Sequence, residues 1–210
     1  MKTYEFGSPD AGIVLIQPVG EHDLDGIENE FQAIVNRCNL KIRLIAVRID
    51  DWNNDLSPWP APAVFGKESF GGGGSKTLGE LLKLCGDKSK SYYIGGYSLA
   101  GLFALWAAYQ TDAFAGIAAV SPSVWFPGFK EYMDAGTVRT GRVYLSLGEK
   151  EEKTRNPEMA TVGDRLREIY ALLQARDIPC CLEWNEGNHF RDLEERMAKG
   201  FAWAMKGTDA

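Results

Sequence analysis

A chain of 210 residues with 45% hydrophobic content can bury one sizeable core, and it is too short for two ordinary α/β domains. The formal net charge of −6 argues against nucleic acid as a partner, because phosphates require a basic surface. The N-terminus lacks the apolar core of a signal peptide, and no apolar run reaches the length of a membrane span. We therefore expect one soluble, cytoplasmic domain over residues 1–210, with no nucleic-acid or membrane partner.

The few cysteines and histidines of the chain leave little material for a metal site. The four cysteines form no C-x-x-C pair, and the adjacent Cys180 and Cys181 would point to opposite faces of a strand. Only two histidines are available to complete a zinc site of cysteine and histidine. We expect reduced cysteines packed as small apolar residues, no metal and no organic cofactor.

Short apolar runs alternate with helical patterns along the chain. Six runs have the composition of strands buried in a parallel sheet: residues 13–16, 40–49, 91–94, 114–120, 143–147 and 180–184. Helical patterns lie between or after these runs, near residues 27–35, 77–84, 99–109, 159–175 and 193–205. This order predicts an α/β fold, with a mostly parallel sheet and helices on both of its faces.

Two loops rich in aromatic residues and proline follow predicted strands, at residues 50–75 and 121–129. Open parallel sheets bind ligands at the carboxyl ends of their strands, where both loops should lie. We expect the loops to line a substrate pocket with Trp52, Trp59, Phe65, Trp125 and Phe126. For the first loop, a surface loop packed by its own aromatic side chains is the alternative.

Residues 92–105 have the layout of a nucleophile elbow, a tight turn from a strand into a helix. Such a turn lifts one serine clear of the sheet, and the residues two before and two after it must be small. Here Ser98 has Gly96 and Ala100 at those positions, where the usual pattern has two glycines. The pattern favours Ser98 as a nucleophile, and the alternative is a strand–helix connection in which Ser98 caps the helix.

A serine nucleophile needs a base, normally histidine, and the chain offers only His22 and His189. In the α/β-hydrolase arrangement the triad runs in the order serine, acid, histidine. His189 follows Ser98 and lies in the loop after the last predicted strand, so it fits this order. His22 lies near the start of the first predicted helix, where a surface position is the simpler interpretation.

The acid of the triad is expected after the strand at residues 143–147, in the loop that contains Glu149, Glu151 and Glu152. The usual spacing places the carboxylate two or three residues beyond the glycine of this loop, which favours Glu151, with Glu149 next. The alternative is that all three glutamates are solvated and that a backbone carbonyl orients the histidine.

An oxyanion hole needs two backbone N–H donors directed at the developing negative charge. One is expected from Leu99, directly after the nucleophile. The second is expected from the loop after the first predicted strand, around Val19 and Gly20. Pro18 precedes them and cannot donate, because proline has no N–H.

Two segments near Ser98 resemble a known family. Residues 95–104 and 119–125 are similar to the esterase family of α/β-hydrolases that includes esterase D and the enterochelin esterase-like hydrolases. In that family a Ser-Leu-Gly-Gly-Leu type of elbow is followed by a Val-Ser-Pro-Ser-x-Trp loop beside the site. The resemblance implies a serine hydrolase fold with Ser98 as nucleophile and His189 as base, and Ala100 departs from the family pattern.

These features predict a serine hydrolase that cleaves a small-molecule carboxylic ester through an acyl-enzyme intermediate. The alternatives are an acyltransferase with the same triad and a non-catalytic binding protein on the hydrolase fold. The first would pass the acyl group to an alcohol or thiol instead of water, and in the second a triad member would be misplaced.

Overall fold

The computed structural model describes residues 1–207, and its central feature is a seven-stranded sheet. The strands are β1 (Thr3–Gly7), β2 (Ile13–Val19), β3 (Ile42–Arg48), β4 (Pro60–Ala61), β5 (Phe70–Gly71), β6 (Ser91–Tyr97), β7 (Gly116–Val120), β8 (Val143–Gly148) and β9 (Cys180–Asn185). The α-helices are α1 (Ile27–Cys38), α2 (Trp52–Asp55), α3 (Gly74–Leu82), α4 (Leu99–Gln110), α5 (Phe129–Ala135), α6 (Pro157–Ala160), α7 (Val162–Ala175) and α8 (Leu193–Ala204). None of the helices in this part of the chain is long and apolar enough to cross a membrane.

The strands of the main sheet follow the order β1-β3-β2-β6-β7-β8-β9. Neighbouring strands from β3 to β9 are parallel, and the edge strand β1 runs antiparallel to β3. The predicted, mostly parallel sheet is therefore confirmed, and β1 is an addition to it. β1 differs from the other strands because it alternates exposed and half-buried residues, as a strand with one covered face does.

Helices cover both faces of the sheet, and each face has its own apolar core. On one face lies α4, in which 11 of 12 residues are buried, together with Leu81 of α3 and Ile169 of α7. On the other face, Ile34 of α1 and Phe201 of α8 belong to one cluster with Leu15 of β2. The expected α/β fold with helices on both faces is confirmed.

The proline-rich segment after β3 has more local structure than the sequence pattern indicates. Asp51 caps the short helix α2 by accepting a hydrogen bond from the Asn54 N–H. β4 and β5 then form a separate antiparallel pair. The segment therefore folds back on itself before α3 begins at Gly74.

The parallel strands bring four connecting segments to one edge of the sheet. The carboxyl ends of β2, β6, β8 and β9 point the same way, because these strands are linked through an unbroken parallel series. Residues 20–26, the turn at Ser98, residues 149–156 and residues 186–192 follow these ends. Ligands of open parallel sheets bind at this edge.

Candidate active site

Ser98 occupies the turn between β6 and α4 in a backbone conformation that few residues adopt. Its φ and ψ angles are 59° and −121°, and a positive φ is costly for a residue with a Cβ atom. The Ser98 side chain makes no capping hydrogen bond to α4, so the helix-cap alternative does not describe it. Ser98 instead lines two cavities at the carboxyl edge of the sheet.

The small residues around Ser98 allow β6 and α4 to approach closely. A Cβ atom on Gly96 would lie 2.5 Å from the carbonyl carbon and oxygen of Ala100 and 2.6 Å from its Cβ atom. A Cβ atom on Gly101 would lie 2.9 Å from the carbonyl oxygen of Gly96. The turn therefore requires glycine at position 96, and the space left by that glycine accommodates the methyl group of Ala100.

His189 and Glu151 meet across the loops that follow β9 and β8. His189 Nδ1 lies 2.6 Å from Glu151 Oε2, a short distance typical of a charge-assisted hydrogen bond. The other two candidate acids lie elsewhere: Glu149 is exposed, and Glu152 forms an ion pair with Arg167. Of the three glutamates in this loop, the structure thus brings Glu151 to the histidine.

The carboxylate of Glu151 is buried and held by several donors besides the histidine. Its Oε1 atom accepts hydrogen bonds from the Gly148 N–H at 2.7 Å and from Ser121 Oγ at 2.7 Å. Burial raises the pKa of Glu151, but the bonds from His189, Ser121 and Gly148 outweigh it, so the pKa of this carboxyl is lowered overall. Glu151 is therefore ionised at neutral pH, and it accepts a hydrogen bond from the protonated Nδ1 atom of His189.

Arg196 of α8 is a further member of this cluster that the sequence-based predictions do not include. The residue is only 1% exposed, and its Nη1 atom lies 3.2 Å from Glu151 Oε1 and 3.0 Å from the Tyr97 hydroxyl. Its Nη2 atom donates to the carbonyl oxygens of Glu186 and Asn188 at 2.8 and 3.1 Å. The sequence contains a signal for this role, because Arg196 is a charged residue beside Met197 on a face of α8 that is otherwise apolar.

Tyr97 fixes the loop that carries His189. Its hydroxyl donates to the His189 carbonyl oxygen at 2.8 Å, and the two rings lie edge to face with centroids 5.1 Å apart. Burial raises the pKa of Tyr97 to about 12, so this hydroxyl keeps its proton for the hydrogen bond. Tyr97 directly precedes Ser98, and it therefore links the nucleophile turn to the histidine loop.

The two expected sources of the second oxyanion donor differ in the structure. Val19 lines the same cavity as Ser98 and His189, but its backbone pairs with β3: the Ile49 N–H donates to the Val19 carbonyl, so the Val19 N–H points to β3 as well. The Gly20 N–H instead donates to Asp23 Oδ2 at 2.8 Å, in the cap of the short 3₁₀ helix at Glu21–Asp23, so this donor is not free to bind an oxyanion. Leu99 is the first residue of α4, where the backbone N–H has no partner within the helix.

Two cavities of about 420 and 440 Å³ meet at Ser98, His189 and Phe190. We call the first the acidic cavity, because carboxylate side chains are prominent in its wall. Its wall includes Gln17, Val19, Asp23, Glu30, Trp52, Asp192 and Glu194. We call the second the aromatic cavity. Its wall includes Phe65, Ser123, Trp125, Lys150, Met159 and Val162.

The aromatic residues expected around the pocket divide into two groups. Trp52 lies in the wall of the acidic cavity, and Phe65 and Trp125 lie in that of the aromatic cavity. Trp59 lines neither: its Nε1 atom donates to the Pro127 carbonyl at 3.0 Å, and its ring packs on nearby aromatic rings. The expectation for Trp59 is therefore wrong, because the segment turns this side chain towards α5.

Phe126 is also a packing residue. It is 2% exposed, and its ring contacts Phe70 with centroids 4.9 Å apart. The first aromatic loop is thus packed in part by aromatic side chains of the loop after β7. Phe70 contacts Phe65 of the same loop, as the alternative interpretation of that loop predicts, whereas the rings that Trp59 contacts all lie outside the loop.

The four cysteines form no disulfide, and each is half-buried. Burial raises the pKa of the Cys85 thiol to about 11, so this group is a weak nucleophile. Within residues 1–207, no group of three or more histidine, cysteine, aspartate or glutamate side chains is arranged to hold a metal ion.

Solved structures share this arrangement of strands and helices, although no protein-family model and no curated protein matches the sequence. An IroE-like serine hydrolase from Shewanella oneidensis has a TM-score of 0.77 at 15% identity, over 96% of this chain and 74% of that chain. The siderophore hydrolase EstB from Aspergillus nidulans has a TM-score of 0.74 at 16% identity, over 96% of this chain and 85% of that chain.

The enterobactin esterase FES from Shigella flexneri has a TM-score of 0.69 at 16% identity over 97% of this chain. The chain spans 55% of the length of that esterase. At identities this low, structural likeness establishes the fold alone. The resemblance to the enterochelin esterase-like hydrolases is therefore confirmed at the level of architecture, and the chain has the α/β-hydrolase fold that these esterases share.

Proposed function

We propose that this protein is a serine esterase, in which Ser98, His189 and Glu151 act as nucleophile, base and orienting acid. The observation that carries the proposal is the 2.6 Å hydrogen bond between Glu151 and His189, whose ring lines the same two cavities as Ser98. The positive φ of Ser98 adds support, because such strain is typical of a nucleophile held in a turn.

The chemistry follows from the roles of these groups. Ser98 Oγ attacks the ester carbonyl carbon while the imidazole of His189 takes its proton, and Glu151 stabilises the imidazolium that forms. The Leu99 N–H group, which has no partner within α4, binds the negative oxygen of the tetrahedral intermediate. The intermediate then expels the alcohol, which receives its proton from His189, and leaves an acyl group on Ser98. A water molecule, deprotonated by His189, releases the acid in the same way.

The fold neighbours support an ester of a small molecule as the substrate class. Their names describe a serine hydrolase, siderophore hydrolases and an enterobactin esterase. The two cavities beside Ser98 are of a size that suits a small molecule. We therefore place this chain among hydrolases of small carboxylic esters, with water as the acceptor of the acyl group.

Active-site labelling tests this proposal directly. A fluorophosphonate should modify the purified protein at Ser98, located by mass spectrometry of the labelled peptide, and p-nitrophenyl esters should be hydrolysed. Ser98→Ala should abolish both signals, whereas Ser89→Ala, which changes an exposed serine of a turn, should preserve both. An unlabelled Ser98 in folded protein would refute the proposal, and acyl transfer to added alcohols faster than to water would replace it with an acyltransferase.

A further inference from the structure

The acidic cavity contains two buried polar side chains that lack part of their hydrogen bonding. Gln17 of β2 is 4% exposed and Glu30 of α1 is 5% exposed, and both line the cavity. Gln17 Nε2 donates to Glu30 Oε2 at 3.3 Å. The remaining oxygen of each side chain, Oε1, has no hydrogen-bond partner among the described residues. Two unsatisfied buried acceptors are costly, and they point to a donor that the protein itself does not supply.

The charges around these two acceptors are mostly negative. Asp23, Asp192 and Glu194 also line the cavity, and its wall includes no lysine or arginine. His22 lies beside Asp23, with its Nε2 atom 3.2 Å from Asp23 Oδ1. Arg191 Nε donates to Asp192 at 3.2 Å from outside the cavity wall, and Glu194 has no ion pair among residues 1–207. A positively charged group would therefore find a favourable field here.

We infer that the acidic cavity binds a protonated amine or guanidinium group of the ester substrate, towards which Glu30 and Gln17 turn their buried Oε1 atoms as acceptors. This inference rests on the proposed esterase function, because it assigns a substrate class to the same site. A cationic N–H donor matches both unsatisfied oxygens and the charge of the wall. Charge-assisted hydrogen bonds of this kind are about twice as strong as neutral ones.

The aromatic cavity completes the substrate description. Phe65, Trp125, Met159 and Val162 give this cavity an apolar wall, and its charged residues are Lys150 and Glu151. This wall therefore favours an apolar group. Since Ser98 and His189 lie in the walls of both cavities, the substrate is an ester with a cationic end and an apolar end on opposite sides of the scissile bond.

The ionisation of Glu30 is coupled to this binding. Burial raises the pKa of Glu30 well above its usual range, the Gln17 hydrogen bond opposes the rise, and the charges of Glu194 and Asp23 add to it. His22 and Asp192 also face the cavity. A bound cation favours the ionised carboxylate, so it binds with release of a proton when Glu30 is protonated. The preference for a cationic ester should therefore increase as the pH rises.

Isosteric ester pairs test the inference. In one pair the alcohol part varies: 2-(dimethylamino)ethyl benzoate against 3-methylbutyl benzoate, which replaces the protonated N–H by a C–H. In the other pair the acyl part varies: ethyl 4-(dimethylamino)butanoate against ethyl 5-methylhexanoate. The measured quantity is the ratio of kcat/KM for the charged ester to that for its neutral partner. We expect a ratio of about 10–100 in one of the pairs, from the strength of a charge-assisted hydrogen bond.

Variants of two glutamates of α1 provide the control. Glu30→Gln should reduce the ratio to near one, whereas Glu28→Gln, which removes an exposed charge from the same helix, should leave it unchanged. Glu194→Gln should reduce it in part, and this variant serves if Glu30→Gln does not fold. The ratio is read within one enzyme, so a general loss of activity cancels.

The outcomes separate the inference from the proposed function. If wild-type protein hydrolyses the neutral esters and its Ser98 is labelled, but neither pair shows a preference for the cation, the inference is overturned and the esterase remains. If a preference exists but Glu30→Gln and Glu194→Gln both retain it, the inference is also overturned. Failure to hydrolyse any ester, with no labelling of Ser98, refutes the esterase itself.

Discussion

One guanidinium group, that of Arg196, holds both Glu151 and the loop that presents His189. Its Nη1 atom lies 3.2 Å from Glu151 Oε1, while Nη2 donates to two backbone carbonyls of residues 186–188. The two loops follow different strands, β8 and β9, and they meet at this buried cation. Arg196 is therefore a positioning residue for the proposed acid–base pair, and it touches neither cavity.

Replacing Arg196 should impair turnover more than substrate binding. Arg196→Met removes the cation beside Glu151 and frees the histidine loop, and we expect kcat to fall by about 10²-fold, the cost of a small misplacement of catalytic groups. KM should change little, because Arg196 lines neither cavity. Removing the positive charge beside Glu151 makes the Glu151–His189 pair easier to protonate, so the acidic limb of the kcat–pH profile should move to higher pH.

Arg196→Lys distinguishes positioning from a merely structural role. Lysine keeps the charge but cannot form the fork that reaches Glu151 and the loop carbonyls together. We expect it to restore the position of the acidic limb and only part of kcat. A loss of activity that follows the fraction of unfolded protein, with an unchanged pH profile, would contradict the positioning role.

Substitutions of the three neighbouring glutamates test the choice of the acid. Glu151→Gln replaces an acceptor of the His189 Nδ1–H by an amide that can also donate, so it can stabilise the wrong tautomer. The expected loss in kcat is about 10⁴-fold, as for the corresponding change in a Ser-His-Asp triad. Glu149→Gln and Glu152→Gln should keep near wild-type kcat, because neither side chain contacts the histidine. A large loss in either of these variants, with Glu151→Gln active, would reassign the acid.

The contrast among these glutamates shows what sequence pattern can and cannot predict. The alternation of apolar runs and helical patterns was sufficient to predict the parallel sheet. In such a sheet the loops that contain Ser98 and His189 lie at the same carboxyl edge. The choice of Glu151 depended on a spacing rule alone, because the direction of each side chain is set by the 3₁₀ helix at Glu151–Lys153. Trp59 shows the same limit, since the fold of its loop decides which way its ring points.

Long-range contacts explain why other parts of the site were not predicted. Gln17 and Glu30 lie 13 positions apart and meet because α1 packs on β2. Nothing local in either segment distinguishes a buried glutamate from one that stabilises the N-terminal turn of a helix. Arg196 could have been identified from the sequence, since a charged residue on an otherwise apolar helix face indicates a buried partner.

The elbow makes a prediction about glycines that can be tested without a substrate. Gly96→Ala would place a Cβ atom 2.5 Å from backbone atoms of Ala100, so strand and helix must separate. We expect destabilisation of about 3 kcal/mol or more and loss of fluorophosphonate labelling. Gly79→Ala is the matched control: it lies in the interior of α3, nothing lies within 4 Å of its added Cβ, and it is exposed.

The two glycine substitutions should change the free energy of unfolding in opposite directions. Alanine at position 79 should stabilise the protein by about 0.5–1 kcal/mol, because glycine costs entropy in a helix interior. Denaturant unfolding of both variants measures the difference. Equal stability of Gly96→Ala and the wild type, with labelling intact, would show that the turn has room that these distances exclude.

The buried carboxyl of Glu30 should make the protein less stable as the pH rises. Burial raises the pKa of Glu30 above its ordinary value, so between these two pKa values the folded state binds more protons than the unfolded state. The free energy of unfolding therefore falls as the pH rises through this window. Glu30→Gln removes the titrating group and should raise Tm at pH 8, by about 2–4 °C for each kcal/mol gained, with little difference at pH 4.

Thermal unfolding of both proteins across this pH range measures the effect, with Glu28→Gln as the control that should follow the wild type. A variant less stable than the wild type at every pH would contradict it. The expected result, higher stability together with a lost preference for cationic esters, would indicate that Glu30 is retained for binding at a cost in stability.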